Sequence, residues 1–433
     1  MQYFSTNNRN TTADFRQATI QGQPADKGLY FPEFIPQLPK DFIQNLANLS
    51  KEEIAFKVIE PYVGDTIDKE SLKKIVAETV FFDFPLQKIS DSISALELFH
   101  GPTLAFKDVG ARFMSRCLSH FAKDEKRRIT VLVATSGDTG GAVADAFYGV
   151  ENADVVILYP SGKVSDVQEL QLTTLGKNIT ALEIGGSFDD CQRMVKEAFA
   201  DKNLNEQIYL TSANSINVAR WLPQQFYYFY AYQQWQHEEA PVISVPSGNF
   251  GNICAGLMAY SSGLPVQHFV AACNANDVIP QYLASGNYQT KPAVYTLSNA
   301  MDVANPSNFV RIIEIFNHQL QSLKNVVSSY SITDEETIAA IKEVKSSFNY
   351  LLDPHGAVGY VALRRYLKEH ANKKGYLLET AHPVKFNTEE FTGYKIDVPS
   401  SIRHLLKKEK KSIKMPADEK ALKSFLLGKE TLV

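Results

Sequence analysis

From about residue 83 onward, the chain repeatedly passes from a short apolar run through a glycine-rich loop into an amphipathic stretch. Apolar runs of this kind are typical of strands buried on both faces, and parallel strands need a crossover connection that is usually helical. The pattern therefore predicts an α/β fold with a mostly parallel sheet. The predicted strands span residues 94–99, 128–135, 154–159, 179–184, 242–245, 269–274 and 376–379.

The length of 433 residues predicts two or three domains. Residues 1–82 differ from the alternating part and are predicted to form a separate N-terminal lobe, with helices at 40–56, broken at Ser50, and at 68–81. The remainder is interpreted as two α/β domains. The smaller spans residues 83–220, and the larger spans 221–433.

Composition narrows the class of protein. Hydrophobic residues make up 44%, charged residues 21%, and the formal net charge is −4, which is ordinary for a globular enzyme and does not favour binding to nucleic acid or to a membrane. The four cysteines form no CxxC pair, and the N-terminus lacks a basic segment followed by an apolar one. We therefore expect a cytoplasmic protein in a reducing compartment.

Lys107 is the first candidate for chemistry. It follows the tight loop at 100–103 and the aromatic Phe106, and it precedes a helix predicted at 108–121. A lysine amine is protonated at neutral pH, and it becomes a nucleophile when it is desolvated or held near other charges. A solvated lysine at a helix start is the commoner interpretation of one isolated residue. The polar loop and Phe106 favour a lysine held in one position.

The second candidate is the loop at 246–252 (PSGNFGN), between a predicted strand and a helix at 252–261. Its glycines allow backbone N–H groups to turn inward, and a helix N-terminus adds a positive dipole end, so the loop suits a phosphate. It lacks both the Lys-Ser/Thr of a P-loop and the GxGxxG spacing, which favours a small cofactor over a nucleoside triphosphate. A turn that needs glycine only for packing is the alternative.

Three further segments supply polar groups. The loop at 134–141 (ATSGDTGG), the anion loop, suits a substrate carboxylate or phosphate. The segment at 211–220 ends in an arginine suited to an oxyanion. The segment at 379–383 stands at a strand end, where α/β sheets place ligands. The alternative for the loop at 134–141 is a structural turn, and the alternative for the segment at 211–220 is a loop with helix-capping residues. In the segment at 379–383, His382 is alternatively a packed loop histidine. A fixed lysine, a phosphate loop, an anion loop and a strand-end hydroxyl together suit pyridoxal 5'-phosphate.

The chain also carries a series of longer strings in a fixed order, which are LELFHGPTLAFKD, TSGDTGGAVADAF, SANSINVAR, VPSGNFGNICAG, DPHGAVGYVAL and ETAHPVKF. By these strings it resembles the threonine synthase family, in the longer form with an extra N-terminal lobe. The resemblance spans nearly the whole chain and implies fold type II, the architecture of the tryptophan synthase β subunit, with the cofactor held between two open α/β domains. One departure is at residues 4–8, FSTNN, where the family often has a Tyr-Ser-Thr-Arg-Gly-like string.

The resemblance also implies roles for single residues. Lys107 would bind the cofactor covalently and act as the catalytic base, and Thr380 would face the pyridine nitrogen. Asp138 would lie beside the cofactor's 3-oxygen, where it is protonated, turned aside or bonded elsewhere. The residues expected to hold the cofactor phosphate are Gly248, Asn249, Phe250 and Gly251. The residues expected to bind substrate are Thr135, Ser136 and Thr139 in the anion loop, and Asn217, Arg220 and Lys163 for the substrate phosphate.

The reaction implied is the conversion of O-phospho-L-homoserine and water into L-threonine and phosphate, by a monomer or homodimer. Three alternatives remain. A serine or threonine dehydratase would share the lysine and the phosphate loop but would not need a second anion site. A lyase for a phosphorylated substrate would omit the addition of water. A non-catalytic metabolite-binding protein would tolerate the loss of Lys107.

Overall fold

The computed structural model describes residues 1–123 and 128–428. In these residues, one parallel sheet, one mostly parallel sheet and one small antiparallel sheet organise the chain. The predicted α/β architecture with mostly parallel strands is confirmed. No helix among the described residues combines the length and the apolar character that crossing a membrane requires.

The N-terminal lobe pairs the small antiparallel sheet with four helices. Ser50 separates two of these helices, because its side chain accepts the N–H of Glu53 while the Glu53 carboxylate accepts the N–H of Ser50. The predicted break at Ser50 is therefore confirmed. The strands, in sheet order, are Thr12–Asp14, Gln2–Ser5 and Tyr30–Pro32, and the helices are Phe15–Gln21, Lys40–Gln44, Lys51–Val63 and Lys69–Thr79.

Within the described residues, the larger sheet has six strands, and all neighbouring pairs are parallel except the last. Its central strands are buried along their whole length, as their apolar sequences predicted. In sheet order, the strands are Val327–Ser331, His268–Cys273, Val242–Pro246, Gly375–Glu379, Ile93–Glu97 and Leu86–Lys88. The helices between these strands are Gly251–Ser261, Val278–Ser285, Phe309–Ile315, Leu320–Val326, Asp334–Phe348 and Pro354–Glu369.

The smaller sheet has five strands in the part of the chain that the structure describes, and all of them are parallel. In sheet order, they are Ser412–Pro416, Ile179–Gly185, Ala153–Pro160, Ile129–Ala134 and Tyr209–Ser212. The helices of this part are Lys107–Ala122, Asp138–Phe147, Asp166–Thr173, Phe188–Ala200 and Lys202–Gln207. Further helices are Val218–Trp221, Phe226–Gln234, Thr388–Thr392, Ser400–Arg403 and Glu419–Leu426.

The two larger sheets do not follow the predicted domain ranges. Leu86–Lys88 and Ile93–Glu97 fall within 83–220, yet they pair within the six-stranded sheet. Ser412–Pro416 falls within 221–433, yet it pairs with Ile179–Gly185 of the smaller sheet. The division into 1–82, 83–220 and 221–433 stays a prediction, and it is not a division by sheets.

The strand order brings the candidate loops together. Ile93–Glu97, Gly375–Glu379 and Val242–Pro246 are neighbours in the larger sheet and run parallel. Because the carboxyl ends of parallel strands meet at one edge, the three segments that follow them lie side by side. These segments carry Lys107, Thr380 and the loop at 246–252.

Candidate active site

The chain before Lys107 is fastened to the end of a neighbouring strand. The N–H of Phe106 donates to the carbonyl of Thr380 at 2.9 Å, and Ala105 forms an isolated β-bridge with Ala381. The N–H of His382 donates to the carbonyl of Leu104 at 3.0 Å. Lys107 then begins the helix Lys107–Ala122, so its Cα position is fixed from both sides.

The Lys107 side chain is mostly shielded from solvent, with 17% of its surface exposed. Burial lowers the pKa of its amine, and the nearby Asp138 carboxylate opposes that shift while Lys385 and Arg220 reinforce it. The distance from Lys107 Nζ to Asp138 Oδ2 is 3.9 Å. A larger share of the amine is therefore neutral than for a solvated lysine, which is the state that can attack a carbonyl carbon.

Asp138 is ionised and bonded to two other residues. Its Oδ1 accepts from Lys385 Nζ at 2.8 Å and from Gln168 Nε2 at 2.9 Å. Burial alone would raise the pKa of Asp138, but the charges of Lys385 and Lys107 hold it below its ordinary value. Of the three alternatives left open by the sequence, the structure supports a carboxylate that is bonded elsewhere.

Lys385 is a residue that the sequence analysis missed. It lies in the short 3-10 turn Pro383–Lys385 and has no exposed surface. Its ammonium donates to the Thr103 carbonyl at 2.7 Å as well as to Asp138. Lys385 stands within the string ETAHPVKF, but nothing local in that string distinguishes a buried lysine from a solvated one.

The loop at 246–252 has the donor set of an anion site. Among the described residues, the backbone N–H groups of residues 248–251 donate no hydrogen bond. Phe250 has a φ of 61° and caps the helix Gly251–Ser261, so these groups stand at a helix N-terminus. A Cβ at Gly248 would lie 2.5 Å from Met301 Cα, which explains the glycine there. The residues present therefore fit a phosphate.

The Asn249 side chain shapes this loop. Its Nδ2 donates to Ser215 Oγ at 2.9 Å, and its Oδ1 accepts the N–H of Ser307 at 2.6 Å. The Asn249 carbonyl accepts from Asn308 Nδ2 at 3.0 Å. Behind Asn308 lies Arg311, which donates to Asn308 Oδ1 at 2.5 Å. Asn249 therefore clamps the loop with its side chain and leaves its backbone N–H for an anion.

Thr380 follows directly on the strand Gly375–Glu379 and is buried. Its carbonyl is used by Phe106, whereas its hydroxyl has no hydrogen-bond partner within residues 1–123 and 128–428. The hydroxyl is thus available to a ring nitrogen. The neighbouring His382 is half-buried and neutral, because burial lowers its pKa to about 4 and its Nδ1 accepts the N–H of Val384. This agrees with the packed loop histidine.

The anion loop divides its hydroxyl groups between two tasks. Thr135 Oγ1 accepts the N–H groups of Gly137 at 3.0 Å and Gly140 at 2.9 Å, so Thr135 folds the loop. Ser136 and Thr139 are half-exposed, and neither side chain has a hydrogen-bond partner in the described part of the chain. These two hydroxyls are available to a substrate, and Thr135 is not.

The three residues predicted to hold a substrate phosphate differ in their surroundings. Asn217 has no exposed surface, and its side chain bonds only backbone groups of Thr19, Ser212 and Ala219. It therefore acts as a helix cap, and the structure does not support the predicted substrate contact. Lys163 is exposed, in the turn after Ala153–Pro160.

Arg220 is buried close to Lys107. Its Nη1 donates to the Ala213 carbonyl at 2.5 Å, and its Nε has no hydrogen-bond partner among the described residues. Burial lowers the pKa of Arg220 to about 10, and the charge of Asp108 opposes that shift. A buried guanidinium with an unused donor is a group that an anion would stabilise.

Three family descriptions match successive parts of the chain. Residues 87–378 match the family described as pyridoxal-phosphate dependent enzyme. Residues 2–80 match the threonine synthase N terminus, and residues 356–426 match the threonine synthase C-terminal region.

Known proteins resemble the chain over nearly its full length. The threonine synthase of Haemophilus influenzae is 46% identical, with 95% of this chain and 96% of the relative covered. The crystal structure of the Escherichia coli threonine synthase is 42% identical and has a TM-score of 0.93, with 99% of this chain and 100% of that chain covered. A pyridoxal-phosphate-bound threonine synthase from Brucella melitensis is 34% identical, with a TM-score of 0.91 and complete coverage of both chains.

Proposed function

The chain belongs to the threonine synthase family of pyridoxal-phosphate-dependent lyases, and we propose that it converts O-phospho-L-homoserine and water into L-threonine and phosphate. The predicted family, fold type II architecture and pyridoxal 5'-phosphate cofactor are confirmed by the full-length matches. The substrate is a small molecule. The observation that carries the proposed site is the approach of Lys107 to the ion pair of Asp138 and Lys385. The loop at 246–252 follows a strand of the same sheet edge.

The residues suited to the cofactor are distributed over the two sheets. Lys107 would form the covalent link, and the backbone N–H groups of Gly248, Asn249, Phe250 and Gly251 would hold the phosphate. The Thr380 hydroxyl would meet the ring nitrogen as a neutral partner, and Asp138 would lie at the side of the ring. When bound, the cofactor supplies an electron sink for the bonds of the substrate α-carbon.

Lys107 is proposed to move the protons of the reaction. With the substrate bound, Lys107 Nζ would remove the Cα proton, give it up, and then remove a proton from Cβ as the γ-phosphate leaves. Protons would be returned to Cγ and to Cα, and water would add its hydroxyl at Cβ while its other proton goes to the released phosphate. For one base that acts at two adjacent carbons, accurate position matters more than high basicity. This fits a lysine whose backbone is held on both sides and whose side chain is shielded from water.

The substrate is proposed to lie between the anion loop and the buried arginine. Ser136 and Thr139 would donate their hydroxyls to the substrate carboxylate, because these side chains are not used by the protein itself. Arg220 would attract the substrate phosphate through its unused Nε donor, and Lys163 would add a cation at the carboxyl end of the strand Ala153–Pro160.

A product assay on the purified holoenzyme tests the proposed function. With O-phospho-L-homoserine, we expect equal amounts of threonine and inorganic phosphate by mass spectrometry and phosphate assay. Addition of the substrate should also change the absorbance of the bound cofactor. Accumulation of 2-oxobutyrate in place of threonine would indicate a lyase without water addition, and turnover of threonine alone would indicate a dehydratase.

The compartment and the binding partners of the enzyme are proposed from its cysteines and its net charge. The four cysteines are all free thiols and buried, as in proteins from a reducing compartment, so we propose a cytoplasmic enzyme. The net charge of −4 supports the proposal that it binds no nucleic acid. We propose that it acts as a monomer or homodimer, which sedimentation of the holoenzyme would test.

A further inference from the structure

Lys385 joins three segments that surround Lys107. Its ammonium donates to Asp138 Oδ1 at 2.8 Å and to the Thr103 carbonyl at 2.7 Å, and its own carbonyl accepts from Ser165 Oγ at 2.7 Å. A fully buried ammonium is costly unless it is paired and hydrogen-bonded. The contacts with Asp138 and Thr103 supply both a carboxylate partner and a hydrogen-bond acceptor for the buried Lys385 side chain.

Two lysines compete for the same carboxylate. Asp138 lies 2.8 Å from Lys385 Nζ but 3.9 Å from Lys107 Nζ. Without Lys385, Lys107 would be the nearest ammonium to a buried carboxylate, and that carboxylate would hold a proton on Lys107. A protonated amine cannot bind the cofactor or remove a proton from the substrate.

Other charged groups around Lys107 do not replace this effect. Arg220, from the helix Val218–Trp221, also disfavours a positive charge on Lys107 but forms no ion pair with Asp138 among the described contacts. Asp108, on the helix of Lys107 itself, accepts the N–H of Thr103 and so is directed at the loop. Asp138 is therefore the carboxylate that affects the protonation of Lys107. Asp138 lies closer to Lys385 than to Lys107.

We propose that Lys385 is a positioning residue that draws the Asp138 carboxylate away from Lys107, so that Lys107 is released as a neutral amine for its work in the proposed function. It touches neither the reacting atoms nor the cofactor in this role. It acts through Asp138, and it does so by charge, because a neutral side chain of similar length would leave Asp138 to pair with Lys107. Arginine at this position keeps the charge.

The test measures the reactivity of Lys107 in the full-length chain freed of cofactor. Limited acetylation with acetic anhydride, followed by peptide mass spectrometry, gives the pH at which half of the maximal Lys107 labelling rate is reached. In Lys385→Met we expect this midpoint to rise by about one to three pH units, the shift produced by a nearby opposite charge. In Lys385→Arg we expect it to stay near the wild-type value, and an unchanged midpoint in folded Lys385→Met overturns the proposal.

A second pair of variants covers a failure of Lys385→Met to fold. In Asp138→Asn, we expect the labelling midpoint to fall below the wild-type value, because only the repulsion from Lys385 and Arg220 remains. Adding Lys385→Met to Asp138→Asn should then change the midpoint only slightly, because the carboxylate through which Lys385 acts is already absent. A rise of about one to three pH units in the double variant would assign the effect to direct repulsion between the two lysines and overturn the proposal.

Lys51 offers a matched control in the N-terminal lobe. Its ammonium also donates to one carboxylate, Asp83 Oδ1 at 2.7 Å, and to one carbonyl, Phe82 at 2.8 Å. Lys51→Met should leave the Lys107 labelling midpoint unchanged, and an equal rise there would assign the effect to general loosening and reject the role of Lys385. Since no substrate is used, the labelling result is independent of whether the product assay supports the proposed function.

Discussion

The two ends of the proposed cofactor site are built by different means. At the loop of residues 246–252, the available groups are backbone N–H donors, and the side chains that hold the loop are the neutral Asn249, Ser215 and Asn308. At the Lys107 end, the side chains are ionisable. The Asp138 carboxylate lies within 4 Å of two ammonium groups, those of Lys107 and Lys385. The first end holds an anion in place, and the second sets a protonation state.

This difference has a physical reason. A phosphate is already charged, so fixed dipoles at a helix N-terminus can hold it without a charged side chain of the loop in direct contact. The buried Arg311 stands one residue further back, behind Asn308. A lysine that must attack as a neutral amine needs its proton affinity adjusted, and only nearby charges and burial adjust it strongly. Changes at the loop should therefore alter affinity alone, while changes at the Lys107 end should alter pH dependence.

The largest effect is expected for Lys107→Ala. Loss of the base should lower turnover of O-phospho-L-homoserine by about 10²–10⁴-fold or more, while the phosphate loop still holds the cofactor weakly. Threonine formation and cofactor absorbance after gel filtration measure the two properties separately. Turnover close to that of the wild type would overturn the proposed chemistry.

Arg220→Ala should show a smaller effect, confined to the substrate. Loss of one charge-assisted contact to the phosphate should raise KM for O-phospho-L-homoserine by about 10- to 100-fold, with a much smaller change in the cofactor dissociation constant. Steady-state kinetics and a cofactor titration give both values. If both constants deteriorate equally, Arg220 does not bind the substrate phosphate.

Gly248→Ala tests the end of the proposed cofactor site at the loop of residues 246–252. The added Cβ would lie 2.5 Å from Met301 Cα, so the loop must shift, and we expect about a tenfold weaker affinity for pyridoxal phosphate. The labelling midpoint of Lys107 should stay unchanged, because no charge has moved. A shifted midpoint would show that the two ends are coupled, and the comparison between them would fail.

Asn249→Ala should have the smallest effect of this series. It removes two neutral hydrogen bonds that hold the loop, to Ser215 and Ser307, and each is worth about 1 kcal/mol. We expect a several-fold loss of cofactor affinity, measured by titration, with kcat nearly unchanged when cofactor is saturating. A large fall in kcat would indicate that Asn249 does more than shape the loop.

The sequence could predict features that depend on neighbouring residues. Apolar runs followed by glycine loops gave the parallel strands, and the Ser50 cap is a local pattern. The edge strand Val327–Ser331 was not predicted because its serine-rich, half-buried sequence lacks a long apolar run. Ser412–Pro416 was not predicted because a lysine-rich segment suggests an exposed tail, and only its pairing with Ile179–Gly185 makes it a strand.

The proposed site shows the same limit. Lys107 and the loop at 246–252 could be identified because their neighbours in sequence are unusual. Lys385 could not, because its burial depends on residues 282 positions away, at Thr103, and on Asp138. Asn217 was chosen for its residue type, but an asparagine side chain caps a helix as readily as it binds a ligand.

The position of Gly375–Glu379 in the larger sheet also constrains when the protein can assemble on the ribosome. This strand lies between Val242–Pro246 and Ile93–Glu97, yet it is the last strand of its sheet to be synthesised. Until it emerges, Ile93–Glu97 has only Leu86–Lys88 as a partner, and the segment before Lys107 lacks its anchor at Thr380. A nascent chain therefore exposes an unpaired sheet edge for most of its synthesis, and it gains the capacity to capture cofactor only near completion.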